Sequence, residues 1–148
     1  MRCSKLTDKI SENEAIYIST YANIFYYSGF TSEDAKLVIT KNRRILFTDS
    51  RYTIQAHLES PDFEILDYQN DFIKTINELN FDVLYFEEDN VSVSHFSYLQ
   101  KLDVKLKPFS KEIKKPREVK DKDEIEKLKN AESLGDSAFS YIINRIKP

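Results

Sequence analysis

Short apolar runs alternate with stretches in which apolar residues recur every third or fourth position, and this divides the chain into strands and helices. Residues 15–19, AIYIS, are nearly all apolar, as in a strand covered on both faces. Residues 35–40 (AKLVIT) and 44–49 (RILFTD) flank Lys41, Asn42 and Arg43. That spacing predicts a hairpin, with Asn42 in the left-handed position. Gly29 is one of only two glycines, so it marks a turn that needs a positive φ. From Ser50, RYTIQAHLE reads as a helix with Tyr52, Ala56 and Leu58 on its inner side. Asp49 or Ser50 is placed to cap it.

Two strand-then-helix units follow. FEILDY leads to NDFIKTINEL, where Phe72, Ile73, Ile76 and Leu79 recur at helical spacing. FDVLYFE leads to SVSHFSYLQKL, with Val93, Phe96, Leu99 and Leu102 on one stripe, and VKLKPF is a last short strand closed by Pro108. Strands alternating with helices after a hairpin predict an α/β fold, a mixed β-sheet flanked by helices. The segment KEIKKPREVKDKDE, charged and holding Pro116, reads as a connector. Beyond it, Asp121 and Glu124 form a capping-box pattern that opens a long helix. Its stripe is Ile125, Leu128, Ala131, Leu134, Ala138 and Ile142. Gly135 inside it costs about 1 kcal/mol relative to alanine, which calls for compensating packing.

At 148 residues, with 32% charged and 41% hydrophobic residues, the chain has room for one domain with a real core. The net charge of −3 is spread along the sequence, which predicts no nucleic-acid face. Cys3 is the single cysteine, so no disulfide framework is expected and a reducing cytoplasm fits best. No apolar run reaches the length of a membrane span, so no membrane partner is expected. The two histidines, His57 and His95, fall on separate predicted helices and read as surface or boundary residues rather than metal ligands. FEED, residues 86–89, is an acidic cluster at a strand end, expected to cap the next helix or stay solvated. These residues alone assemble no catalytic or metal site.

Three motifs carry a resemblance. Asn23, Tyr26, Ser28, Gly29 and Phe30 match an Asn-x-x-Tyr-x-[Ser/Thr]-Gly-Phe pattern. Asp49, Arg51, Tyr52, Gln55 and Ala56 match Asp-x-Arg-Tyr-x-x-Gln-Ala, and Arg117, Lys120, Glu124 and Ile125 match Arg-x-x-Lys-x-x-x-Glu-Ile. In this order they resemble the N-terminal domain of the creatinase/prolidase family, which includes Xaa-Pro dipeptidases and aminopeptidase P. The turn KNRR lacks the glycine often found there, and the first helix, around CSKLTDKI, is shorter than usual.

The resemblance implies a ribonuclease H-like mixed sheet over residues 1–115. Residues 116–148 would then be the linker and first helix of a pita-bread catalytic domain. The chain ends at residues 145–148, where the family usually continues into that domain, so the expectation is a fragment with no peptidase activity of its own. Two divalent ions, manganese or cobalt, are implied only for that following domain. The implied substrate is a short peptide with proline in second position, and the implied assembly is a homodimer. The loop Thr31, Ser32, Glu33 and Asp34, with Phe30 as an apolar wall and Arg51 as a carboxylate partner, is the implied substrate-facing segment. Two other functions carry the same motifs: a creatinase-like amidinohydrolase, and a peptide-binding module of the same fold without catalysis. The sequence after Pro148 would discriminate them.

Overall fold

A computed structural model of the chain describes residues 2–146. The expectation attached to residues 145–148 falls partly on 147 and 148, which lie outside those described. Internal contacts divide the chain into two units, one ending at Pro116 and one beginning at Arg117.

The first unit is built on a six-stranded sheet ordered β4-β3-β2-β1-β5-β6. At its centre β1 (Glu14–Ile18) pairs antiparallel with β2 (Ala35–Ile39) and parallel with β5 (Val83–Phe86). Outward, β2 pairs antiparallel with β3 (Arg44–Thr48), β3 parallel with β4 (Glu64–Asp67), and β5 parallel with β6 (Lys105–Pro108). Five strands therefore run one way and only β2 runs against them. The sheet is mixed and the fold is α/β. The edge strands protect themselves: β6 carries two lysines and a proline, and Glu64 on β4 accepts a two-pronged hydrogen bond from Arg43.

Strand alternation sends side chains to two cores. On one face Ile16, Leu37 and Leu46 meet Leu6 of α1 (Ser4–Thr7), Ile24 of α2 (Tyr21–Ser28) and Ala56 of α3 (Thr53–Glu59). On the other, Tyr17, Val38, Phe47 and Leu84 meet Phe72 and Ile76 of α4 (Tyr68–Leu79) and Leu99 of α5 (Val93–Leu99). The sheet is thus the middle layer of three, which is why β1 reads as nearly continuous apolar sequence.

Several sequence expectations need correction. Asn42 is not left-handed; among the described non-glycine residues only Asn80 has a positive φ, where it ends α4. The hairpin turn is instead closed by the Thr40 hydroxyl, which accepts from the Asn42 and Arg43 amides. Leu58, Ile73 and Val93 are exposed, because short helices bury a narrower stripe than full periodicity suggests. The charged connector is largely helical: α6 spans Ser110–Glu118 with Pro116 inside it. It is tied down by buried Ile113, and by Tyr27 and Tyr26, whose hydroxyls donate to the Ile113 carbonyl at 2.6 Å and the Pro116 carbonyl at 2.9 Å.

In the second unit, α7 (Lys122–Ile143) opens with the expected capping box: the Glu124 amide donates to Asp121 and the Asp121 amide to Glu124. Its apolar positions Ile125, Leu128, Leu134 and Ile142 are exposed. Packing does not compensate Gly135, since a Cβ there would meet nothing within 4 Å.

Gly29 ends α2 at φ 83°, as its scarcity suggested, and a Cβ there would lie 3.2 Å from the Glu59 carbonyl oxygen. Gly29→Ala should cost about 1–2 kcal/mol, since both the left-handed backbone and the close approach oppose a side chain. Denaturant unfolding measures this, and an unchanged midpoint would mean that the turn does not need glycine.

Candidate functional site

Because five strands run one way, their carboxyl ends share one edge of the sheet. In open α/β sheets ligands bind beyond that edge. The turns there are those after β1, β3, β4, β5 and β6, together with the loop leading into β2.

The loop into β2 holds the sequence-predicted residues. Phe30 is fully buried in the core and presents no wall to solvent. Thr31 is exposed and fastened to α3: its amide donates to Glu59 at 2.8 Å, and its hydroxyl donates to Glu59 at 2.9 Å while accepting from Gln55. The Thr31 amide is the main reason that the Glu59 carboxyl sits below the usual range. Ser32 turns back to accept from the Asp34 amide at 3.2 Å. Glu33 and Asp34 are exposed.

Arg51 lies across the same edge, in the 3₁₀ turn Ser50–Tyr52. Its guanidinium donates to Asp49 at 2.8 Å and stands 3.8 Å from Asp34, so it is already shared between two carboxylates. Asp49, not Ser50, is the cap, accepting from the Arg51 amide at 2.9 Å. The Arg51 side chain and then its amide hold the Asp49 carboxyl below the ordinary value. The structure thus brings Asp34 and Arg51 together, fastens Thr31 to α3, and takes Phe30 away into the core.

Between these groups opens a cavity of about 340 Å³ lined by Asp34, Lys36, Asp49 and Arg51, with Phe47, Tyr68 and Gln69 completing it. Lys36, Tyr68 and Gln69 were not singled out from sequence. The signal for Lys36 was present: it is the one charge inside the apolar run AKLVIT. Lys36 is partly buried, and burial pushes its ammonium below the ordinary lysine value against the pull of Asp34 and Glu87. Deeper on this face, the buried Tyr17 hydroxyl meets His95 Nε2 at 2.7 Å. Burial, and then the Lys36 charge, lowers the His95 pKa. His57 is exposed.

The acidic cluster after β5 behaves differently from expectation. Glu87 is fully buried. It accepts from the Ser19 amide at 2.6 Å, the Thr20 amide at 2.7 Å and the Asn23 side-chain amide. It thereby serves the start of α2. Glu88 accepts from the Phe109 and Ser110 amides at the start of α6, and Asp89 pairs with Lys114 and accepts from the Ser110 hydroxyl. The next helix along the chain, α5, is capped by Ser92 instead. Among the described residues, no group of three or more His, Cys, Asp or Glu side chains is gathered where a metal ion could be held. No described helix is long and apolar enough to cross a membrane.

The family model for the creatinase/prolidase N-terminal domain matches residues 2–119. The chain belongs to this family. Among solved structures it is similar to an Xaa-Pro dipeptidase from Bacillus anthracis, with a TM-score of 0.89 and 28% identity over 99% of this chain and 42% of that one. It is also similar to an X-Pro aminopeptidase from Thermotoga maritima MSB8, with a TM-score of 0.86 and 36% identity over 97% of this chain and 43% of that one. A curated relative, the uncharacterized peptidase YqhT of Bacillus subtilis (strain 168), is 28% identical over 91% of this chain and 40% of its own length. The chain therefore spans less than half of each relative. In the family's two N-terminal motifs, Asn23, Gly29, Phe30, Asp49 and Ala56 are explained by the ties and packing described above, before any contact with substrate.

Glu87→Ala would leave two main-chain amides and a side-chain amide without their acceptor and should cost about 3 kcal/mol. Glu87→Gln keeps an acceptor for the Ser19 and Thr20 amides and should cost about 1 kcal/mol. Denaturant unfolding of the two variants measures the difference; equal losses below the smaller figure would show that the carboxylate holds nothing in place.

Proposed function

We propose that this chain is the non-catalytic N-terminal domain of a cytoplasmic, metal-dependent Xaa-Pro peptidase of the dipeptidase or aminopeptidase P kind. It shapes the side by which short peptides with proline in second position reach the active site, and it supports a homodimer. The observation that carries the reading is placement. In a chain of this family, the loop 31–34 and Arg51 stand on the one edge where five strands end, and Asp34 and Arg51 line an open cavity there. The similarity to a dipeptidase and to an aminopeptidase supports the peptidase class.

The paired divalent ions of this reading, manganese or cobalt, would activate a bridging water for attack on the peptide bond. The described residues do not fit them, since no cluster of possible ligands is present; the ligands would come from a following domain. What this chain offers is recognition. Glu33 and Asp34, exposed and carried on a loop held at Thr31, can receive the ammonium of a peptide, a charged hydrogen bond contributing roughly 1.5–3 kcal/mol where it is partly desolvated. Arg51 cannot act as a freely available carboxylate receptor while Asp49 and Asp34 share it.

In the full-length enzyme, Glu33→Ala with Asp34→Ala should lower kcat/KM on an Xaa-Pro dipeptide by on the order of tenfold. The thermal midpoint should barely move, because the Asp34–Arg51 pair is long and solvated. Unchanged kinetics would reduce this loop to an ordinary solvated turn. Titration of the present chain with manganese should show no tight stoichiometric site, and a site held by several of its own side chains would contradict the division of labour.

A further inference from the structure

The cavity at the sheet edge has a charge pattern of which the peptidase reading uses only Asp34, and the inference rests on that reading for the role of this one residue. Lys36 lines it, partly buried, and no described residue touches its ammonium with a hydrogen bond or ion pair; Asp34 and Glu87 attract it only from beyond contact. An ammonium withdrawn from water without a partner is costly unless an anion completes it. At the rim, Asp34 and Asp49 share the single cation Arg51, so two carboxylates against one guanidinium leave one negative charge in excess. Phe47 and Tyr68 line the cavity as aromatic surface, and the Gln69 side chain adds an amide. A cation within and an anionic excess at the mouth complement a molecule with a carboxylate at one end and an ammonium at the other. The volume of about 340 Å³ lies within the range of small-molecule sites.

We propose that this cavity binds a small zwitterion, an amino acid or a dipeptide, with its carboxylate on Lys36 and its ammonium at Asp34 and Asp49. Lys36 is the specificity-determining group, because it is the one cation lining the cavity with no carboxylate in direct contact. Asp34 is the softer of the two acids, since its contact with Arg51 is long at 3.8 Å while that of Asp49 is a 2.8 Å hydrogen bond. Binding needs no catalytic domain. Its failure and a failure of the loop variants to change hydrolysis are therefore separate results.

The test is titration of the present chain, followed by calorimetry and by the amide resonances of Lys36 and Tyr68. The probes are alanine, alanyl-proline, acetate and N-acetyl-alanyl-proline. Alanine or alanyl-proline should bind and shift both resonances, the two arms separating a free amino acid from a dipeptide. Acetate and the acetylated dipeptide, which lack the ammonium, should bind at least tenfold more weakly. Lys36→Met, which keeps the aliphatic stem, should weaken the zwitterion by tenfold or more without lowering the thermal midpoint. Asp34→Asn, on an exposed side chain, should weaken it while acetate binding stays unchanged. The proposal is overturned if neither zwitterion shifts these resonances, if Lys36→Met binds as the parent does, or if blocking the amino group makes no difference.

Discussion

The sheet edge is held together by one buried carboxylate. Glu87 leaves the end of β5 and, excluded from water, takes the amides of Ser19 and Thr20 where β1 turns into α2. Those amides lie at the N-cap of α2 and at the residue before it, where the helix's open end and dipole favour an anion. Asn23, one turn into α2, donates to the same carboxylate. A residue without an acceptor here would leave several donors unmet, and each unmet donor costs more than a hydrogen bond contributes when made. The fold can therefore place the end of β5 and the start of α2 in only one relation. The Gly-Phe turn that ends α2 inherits its position from that.

From this constraint the rest of the edge follows. Glu88 and Asp89, the next two residues, hold the start of α6 in the same way, so one acidic tripeptide pins two helices that are far apart in sequence. The loop into β2 is then suspended between Gly29 and Ala35 and fastened to α3 through Thr31 and Glu59. What remains between loop, 3₁₀ turn and α4 is a cavity lined by the charges of Asp34, Lys36, Asp49 and Arg51. A rigid frame around a few unmet polar groups is the arrangement in which recognition costs least ordering.

Much of this was legible in the sequence, for stateable reasons. Strands β1 and β3 are nearly all apolar and buried on both faces, and Gly29 was conspicuous by rarity; both follow from backbone and burial alone. The family motifs placed the chain correctly, although Asn23 and Asp49 turn out to be structural ties. Residues whose role depends on a distant partner were less legible. FEED looked like a local cap because nothing in residues 86–89 points to Ser19 or Ser110. Lys36 was visible as a charge in a strand, yet its partial burial is a property of the three-layer fold. Pro116 was read as a break because a proline inside a helix needs outside support, and that support, from Tyr26 and Tyr27, lies about 90 residues away.

The account rests most heavily on Glu87 as the acceptor that fixes this edge, and hydrogen exchange at two amides tests it directly. If the carboxylate holds them, the Ser19 and Thr20 amides exchange only with opening of the core, as slowly as those of Ile16 and Tyr17 in β1, although Ser19 and Thr20 lie outside any strand or helix. Exchange at the rate of the exposed loop residue Glu33 would contradict the account.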